Sequence, residues 1–102
     1  MQQWTKNELK EKITTNNHVI LYIFTSMCGT CQLASKMLSI VTELLPQLSI
    51  GEVNIHELVD EAQEWQIESV PCLLIFNGEK IEQKIYAFHS VPYLYELLKK
   101  YQ

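Results

Sequence analysis

The sequence contains no arginine: all eight of its basic residues are lysines, set against twelve acidic ones, for a net charge of −4. Without guanidinium forks there is no bidentate grip on phosphate or guanine, and an acidic chain repels a polyanion. No nucleic-acid partner is expected. Long apolar runs are also missing. The longest strongly apolar stretch, "VILYIF" from Val19 to Phe24, falls far short of the roughly 20 residues that cross a bilayer. The opening "MQQWTKNELKEK" is polar and mixed in charge, unlike the basic and apolar regions of a secretory leader. No membrane association is expected, and a cytoplasmic location is. With only three cysteines, a disulfide-stapled scaffold is excluded, leaving a reduced, catalytic or metal-binding role for the thiols.

What is present suits one folded domain over residues 1–102, with 47% apolar residues and no repeat, linker or low-complexity segment. Thr5 followed by Glu8 has capping-box spacing and opens a helix carrying Leu9 and Ile13, which Asn16-Asn17 ends through asparagine's tolerance of left-handed turns. Val19–Phe24 reads as a central strand buried on both faces. From Cys31 to Leu45, Leu33, Met37, Val41 and Leu44 recur at helical spacing, with Leu38 and Leu45 beside them, and Pro46 helps end that helix. Leu48–Ile55 is a second strand, Glu57–Trp65 a short acidic helix with a solvated face, Pro71–Phe76 a third strand and Lys80–Tyr86 a fourth. Asn77-Gly78 marks a hairpin between the last two. Ser90 caps a final helix whose Leu94, Leu97, Leu98 and Tyr101 face inward. The order α-β-α-β-α-β-β-α predicts an α/β domain with a parallel crossover and one antiparallel pair.

Cys28 and Cys31 stand three residues apart where the buried strand gives way to a helix. A helix N-terminus offers unpaired N–H groups and roughly half a positive charge, which favours thiolate over thiol. Cys31, one turn further on, is placed to close a disulfide and is expected to be more buried. This assigns Cys28 as attacking thiolate and Cys31 as resolving thiol. Gly29 and Thr30 are small, which lets the loop bend and leaves Cys28 open. Two plainer assignments stand beside this one. Both cysteines can be small packing residues, or they can hold zinc with help from Cys72, His18, His56 or His89. None of the latter forms a second pair at ligand spacing.

With "CGTC" after the buried strand and "SVPCLLIFNGEKI" some forty residues later, the chain resembles the thioredoxin family over Thr5 to Tyr101. The resemblance implies a thioredoxin fold: a mixed four-stranded sheet flanked by helices, with room for a short extra N-terminal strand. It implies thiol–disulfide exchange with disulfide-containing proteins and no cofactor. The reductant would be either a thioredoxin-reductase-type flavoenzyme or a low-molecular-weight thiol, and a monomer is expected. It also implies a cis Val70-Pro71 peptide whose Val70 backbone, with Met27, Gly29, Thr30 and Pro71, forms the substrate groove.

Several positions depart from the family pattern. Met27 replaces the usual tryptophan and Thr30 the usual proline. Tyr22 stands where the family has a buried aspartate, Glu52 where that aspartate's lysine partner falls, and Tyr86 where a glycine keeps the groove open. Glu52 is either a replacement base, if it reaches Cys31 directly or through water, or an exposed surface carboxylate. The Thr30 hydroxyl is placed to hydrogen-bond the Cys28 sulfur and so raise the potential of the pair. These departures leave a second reading open, a redox sensor or binding module with weak turnover.

Cys72 reads either as a buried strand cysteine or as a third thiol near the pair. The three histidines read as surface or loop residues, with His89 nearest the substrate side. Trp4 and Trp65 cover core edges. Tyr86, Phe88 and Tyr93 line the groove or pack in the core.

Overall fold

In the computed structural model, which describes residues 1–102, the Thr5 hydroxyl accepts the Glu8 N–H at 3.1 Å while the Glu8 carboxylate accepts the Thr5 N–H at 3.0 Å. This capping box starts helix α1 (Lys6–Thr15), satisfying two N–H groups that a helix leaves unpaired. A two-residue strand β1 (Gln2–Gln3) precedes it. Then follow β2 (His18–Phe24), α2 (Gly29–Leu44), β3 (Ile50–Asn54), a 3-10 turn at Ile55–Glu57, α3 (Val59–Glu64), β4 (Cys72–Asn77), β5 (Lys80–Ile85) and α4 (Val91–Leu98), which ends in a 3-10 turn at Lys99–Tyr101.

The sheet has five strands in the order β1-β3-β2-β4-β5. β2 runs parallel to β3, pairing Tyr22 with Glu52, and antiparallel to β4, pairing Tyr22 with Leu73. The fold is therefore the expected mixed sheet with its short N-terminal strand. Alternation along β2 splits the core in two. Ile20 and Tyr22 pack with Ala34, Leu38 and Val41 of α2 and Leu94 and Leu98 of α4. Val19, Leu21 and Ile23 face the other way, onto Trp4, Leu9, Ile13 and Leu58. At Gly51, a Cβ would lie 2.0 Å from the Trp4 ring, so glycine admits the tryptophan that closes this edge.

Several expectations need correcting. Leu33 and Leu44 are 60% and 55% exposed, and α2 instead buries Cys31, Ala34, Leu38 and Val41. Apolar residues cover both the core face and one flank of α2, and periodicity alone does not separate the two. Leu97 and Tyr101 are only partly buried, unlike Leu94 and Leu98. Asn16 caps α1 in an extended conformation, φ −111° and ψ 152°, rather than a left-handed one. The two residues of the β4–β5 turn are Gly78 and Glu79, and Gly78 supplies the positive φ of 61°.

The acidic helix is shorter than expected, and its face is not wholly solvated. Glu61 is 5% exposed, with Lys6 and Lys10 at 3.3 and 3.1 Å from its Oε2.

Candidate active site

Cys28 follows the carboxyl end of β2, where the chain turns into α2. β2 has β3 on one side and β4 on the other, so this is a switch point of the sheet, where open α/β folds place their sites. The turn is made by Met27 at φ 59°, a left-handed conformation uncommon for a residue with a side chain. It leaves the Met27 side chain 99% exposed beside the cysteine.

The Cys28 sulfur is the N-cap of α2. It accepts the Cys31 N–H at 3.1 Å and lies 3.3 Å from the Thr30 hydroxyl. A sulfur here does what a serine or aspartate oxygen does at other helix starts, and negative charge on it is favoured. Hydrogen bonding from the Cys31 thiol, then from Thr30, holds the Cys28 pKa below the ordinary thiol value. Cys31 is buried. That burial, with the hydrogen bond it gives to Cys28, pushes its thiol pKa up. The two sulfurs thus differ in access and in charge preference. Nothing lies within 4 Å of a Cβ built on Gly29, so the openness of Cys28 does not depend on glycine at that position.

Below the pair, Tyr22 is 1% exposed, and its hydroxyl donates to the Cys31 carbonyl oxygen at 2.6 Å. Burial, then the charges of Cys31, Cys28 and Glu52, drive its pKa strongly upward, so the phenol stays neutral. Tyr22, Met27, Cys31 and Glu52 line one open cavity of about 570 Å³. Glu52 is half-buried there, without a direct hydrogen bond to Cys31. Sequence reasoning missed other members of this wall, among them Gln32, Ser35 and Lys36 of α2. Their one signal is that they follow Cys31 within about a turn and a half of α2.

On the opposite side, Thr30, Leu33, Met37, Pro71, Tyr86 and His89 line a groove of about 370 Å³. The Val70-Pro71 peptide is cis. The Tyr86 hydroxyl accepts the Glu68 N–H at 3.1 Å, tying the end of β5 to the segment that leads into Pro71. Phe88 is buried and meets Tyr22 edge-on, and the exposed His89 and Tyr93 also meet edge-on, with ring centroids 4.7 Å apart. His18, His56 and His89 are all exposed.

Cys72 is fully buried in the Trp4–Leu9 cluster, while Tyr22 belongs to the other one. The burial of Cys72 is what the strand-cysteine reading expected, and it pushes the thiol up to about 11. No three histidine, cysteine, aspartate or glutamate side chains come together as a metal-binding set.

The family model described as Thioredoxin matches residues 1–100. The chain belongs to the thioredoxin family. Thioredoxin-like protein YusE of Bacillus subtilis is 53% identical to this thioredoxin-family chain over 81 residues, covering 79% of the chain and 76% of YusE. Thioredoxin-1 of Saccharomyces cerevisiae is 27% identical over 82 residues, covering 79% and 80% of the two. The solved thioredoxin of Plasmodium falciparum superposes with a TM-score of 0.83 over the whole of both chains at 18% identity, a likeness of fold. Thioredoxins exchange thiols and disulfides in general. The assignment of steps to particular residues of this chain rests on its own geometry.

Proposed function

We propose that this protein is a thiol–disulfide oxidoreductase acting on protein disulfides through Cys28 and Cys31. The observation that carries this is the asymmetry of the pair: one half-exposed sulfur biased toward thiolate, one buried thiol held protonated one turn away. Thiolate Cys28 attacks a substrate disulfide, forming a mixed disulfide and releasing one substrate thiolate. Cys31 then attacks the Cys28 sulfur, forming the Cys28–Cys31 disulfide and releasing the second substrate sulfur.

The exposed Met27 and the groove of Thr30 and Pro71 flank the attacking sulfur, and they suit an extended segment lying along the Val70 backbone. Tyr86 and His89 narrow that groove. The exchange uses no cofactor, and a flavoenzyme reductase or a low-molecular-weight thiol returns the pair to the dithiol. We place this activity in the cytoplasm, in a monomer.

A second reading, a redox-responsive binding module with slow turnover, draws on Tyr22: the buried group beneath the pair is a neutral phenol with no capacity to accept a proton near pH 7. Trapping separates the two. Cys31→Ser should accumulate a mixed disulfide with a disulfide-bonded protein such as insulin, visible as a reducible adduct, and Cys28→Ser should form none. Adduct formation without release of reduced insulin chains by the wild type would favour the binding module. No adduct in Cys31→Ser would remove the exchange reading.

A further inference from the structure

The large apolar side chains that stand exposed are Met27, Leu33, Ile40, Leu44, Val59 and Tyr93. Scattered singly, such residues are ordinary. Here they are gathered. Leu33, Ile40 and Leu44 belong to α2, and Met27 directly precedes its N-cap, Cys28. Tyr93 of α4 meets His89, which lines the same groove as Leu33. Val59 alone lies elsewhere, on α3.

Leu33, Met37, Ile40 and Leu44 follow one another at intervals of four, three and four residues, so they form one row along α2. The row extends over about 16 Å. Ile40 is 46% exposed, between the two leucines, and Met37 is partly buried. Leu33 and Met37 line the groove with Thr30 and Pro71, so the row begins beside the attacking sulfur and continues past the groove, away from it. The charged side chains of α2 are Lys36 and Glu43. Two heptad-spaced positions flank the row on the same side, and neither residue takes part in an ion pair. By contrast Glu96 of α4 and the following Lys99 neutralise each other at 2.7 Å.

An apolar row flanked by unpaired charges of both signs fits the apolar face of an amphipathic helix. Helices favour acidic residues in their first turn and basic ones in their last. An acid opposite Lys36 and a base opposite Glu43 therefore set such a helix running from the Cys28 end of α2 toward Leu44.

We propose that this row is a docking strip for an amphipathic helix of the disulfide-bonded protein substrate, one that starts just after the attacked cysteine and runs alongside α2 in the same direction. Its apolar residues cover Ile40 and Leu44, an acidic residue near its start faces Lys36, and a basic residue near its end faces Glu43. Leu33 and Met37 join the strip to the groove, so cysteine and helix are held together. The strip adds binding without touching the sulfur chemistry, which lowers KM and leaves kcat unchanged.

This docking rests on the exchange proposed above, and the choice of probes separates the two. Two synthetic peptides of equal length and composition each carry one cysteine near the N-terminus, held as a mixed disulfide with 5-thio-2-nitrobenzoate. One places leucines at helical spacing after the cysteine, with glutamate in its first turn and lysine in its last. The other has the same residues scrambled. Attack by Cys28 on the peptide sulfur releases the coloured thiolate, the better leaving group.

Below saturation the wild type should attack the ordered peptide on the order of tenfold faster, equivalent to about 1.4 kcal/mol, and the difference should lie in KM. In Ile40→Glu/Leu44→Glu the two peptides should react alike. Reaction with 5,5′-dithiobis(2-nitrobenzoate), too small to reach from Cys28 to Leu44, should match wild type. Glu43→Lys should slow the ordered peptide by about twofold, and replacing that peptide's lysine with glutamate should restore it.

Equal rates for the two peptides in the wild type would overturn the docking strip while leaving the exchange intact. So would an advantage that persists in the double variant, or sedimentation showing a second copy seated on the row at the assay concentration. Absence of colour release from both peptides and from the small disulfide would instead overturn the exchange itself.

Discussion

The Tyr22 hydroxyl donates to the Cys31 carbonyl oxygen at 2.6 Å, joining the central strand to the first turn of α2 beneath the reactive sulfur. A buried tyrosine needs such a partner for its hydroxyl. Here the bond fixes the helix start that presents Cys28. Tyr22→Phe keeps the ring contacts with Phe24 and Phe88 and removes only the bond. It should cost about 0.5–1.5 kcal/mol of stability, read from chemical denaturation with an unchanged m-value. A more stable variant would show the bond to be strained rather than supportive.

Thr30 lies with its hydroxyl 3.3 Å from the Cys28 sulfur. Thr30→Val keeps the shape and deletes the donor, so the thiolate loses support. Alkylation by iodoacetamide should then show its pH midpoint moved upward. The reduction potential should become more negative, because the reduced form has lost part of its stabilisation. Identical midpoints in the two proteins would leave the Cys31 groups as the whole cause of the depressed thiol.

Cys72 makes alkaline stability sensitive to one buried thiol. Folded, it keeps its proton up to about 11; an unfolded cysteine loses it near 8.5, at about 8.5 on the peptide scale. Between those values the unfolded chain binds fewer protons, so stability falls as pH rises, by about 1.4 kcal/mol per pH unit for one group. Cys72→Ala removes this contribution. Its stability deficit relative to wild type should narrow between about pH 8 and pH 10.5, as measured by urea denaturation. A constant deficit would mean that Cys72 does not stay protonated.

Glu61 carries the opposite sign. Burial disfavours its charge, yet its own backbone N–H with Lys10 and Lys6 holds the carboxyl below the usual range. Its stabilising effect is present at neutral pH and fades as pH falls through the carboxylate range. Glu61→Gln should therefore be less stable than wild type at pH 7, and the two should converge below about pH 4. Thermal melts at the two pH values check this.

The cysteine pair was legible as a local feature, a spacing at a strand–helix junction. The cis Val70-Pro71 peptide followed instead from the family resemblance, since a proline ahead of an apolar strand is by itself an ordinary strand-start residue. The capping box of Thr5 and Glu8 was legible as a local spacing too. Leu33 and Leu44 were misplaced because α2 carries apolar residues on its core face and on one flank, and only the packed sheet shows which is which. Glu61 looked like one carboxylate on a solvated helix, since its lysines come from α1, some fifty residues earlier. Lys36 and Ser35 joined the cavity beside Cys31 only once α2 was laid against β2. The left-handed Met27 gave no signal at all. Neither its neighbours nor its side chain ask for that backbone, and the strand-to-helix turn imposes it.

The central claim is that Cys28 and Cys31 form one reversible two-electron couple, and its potential is the most direct test. Purified protein would be equilibrated against a defined dithiol–disulfide buffer and the fraction oxidised read after acid quenching. The structure predicts a single two-electron transition at a value less negative than about −270 mV, that of thioredoxin itself, because the Thr30 hydroxyl beside the Cys28 sulfur stabilises the reduced form. If no intramolecular disulfide forms at any buffer ratio, the pair is not a redox couple and the account fails.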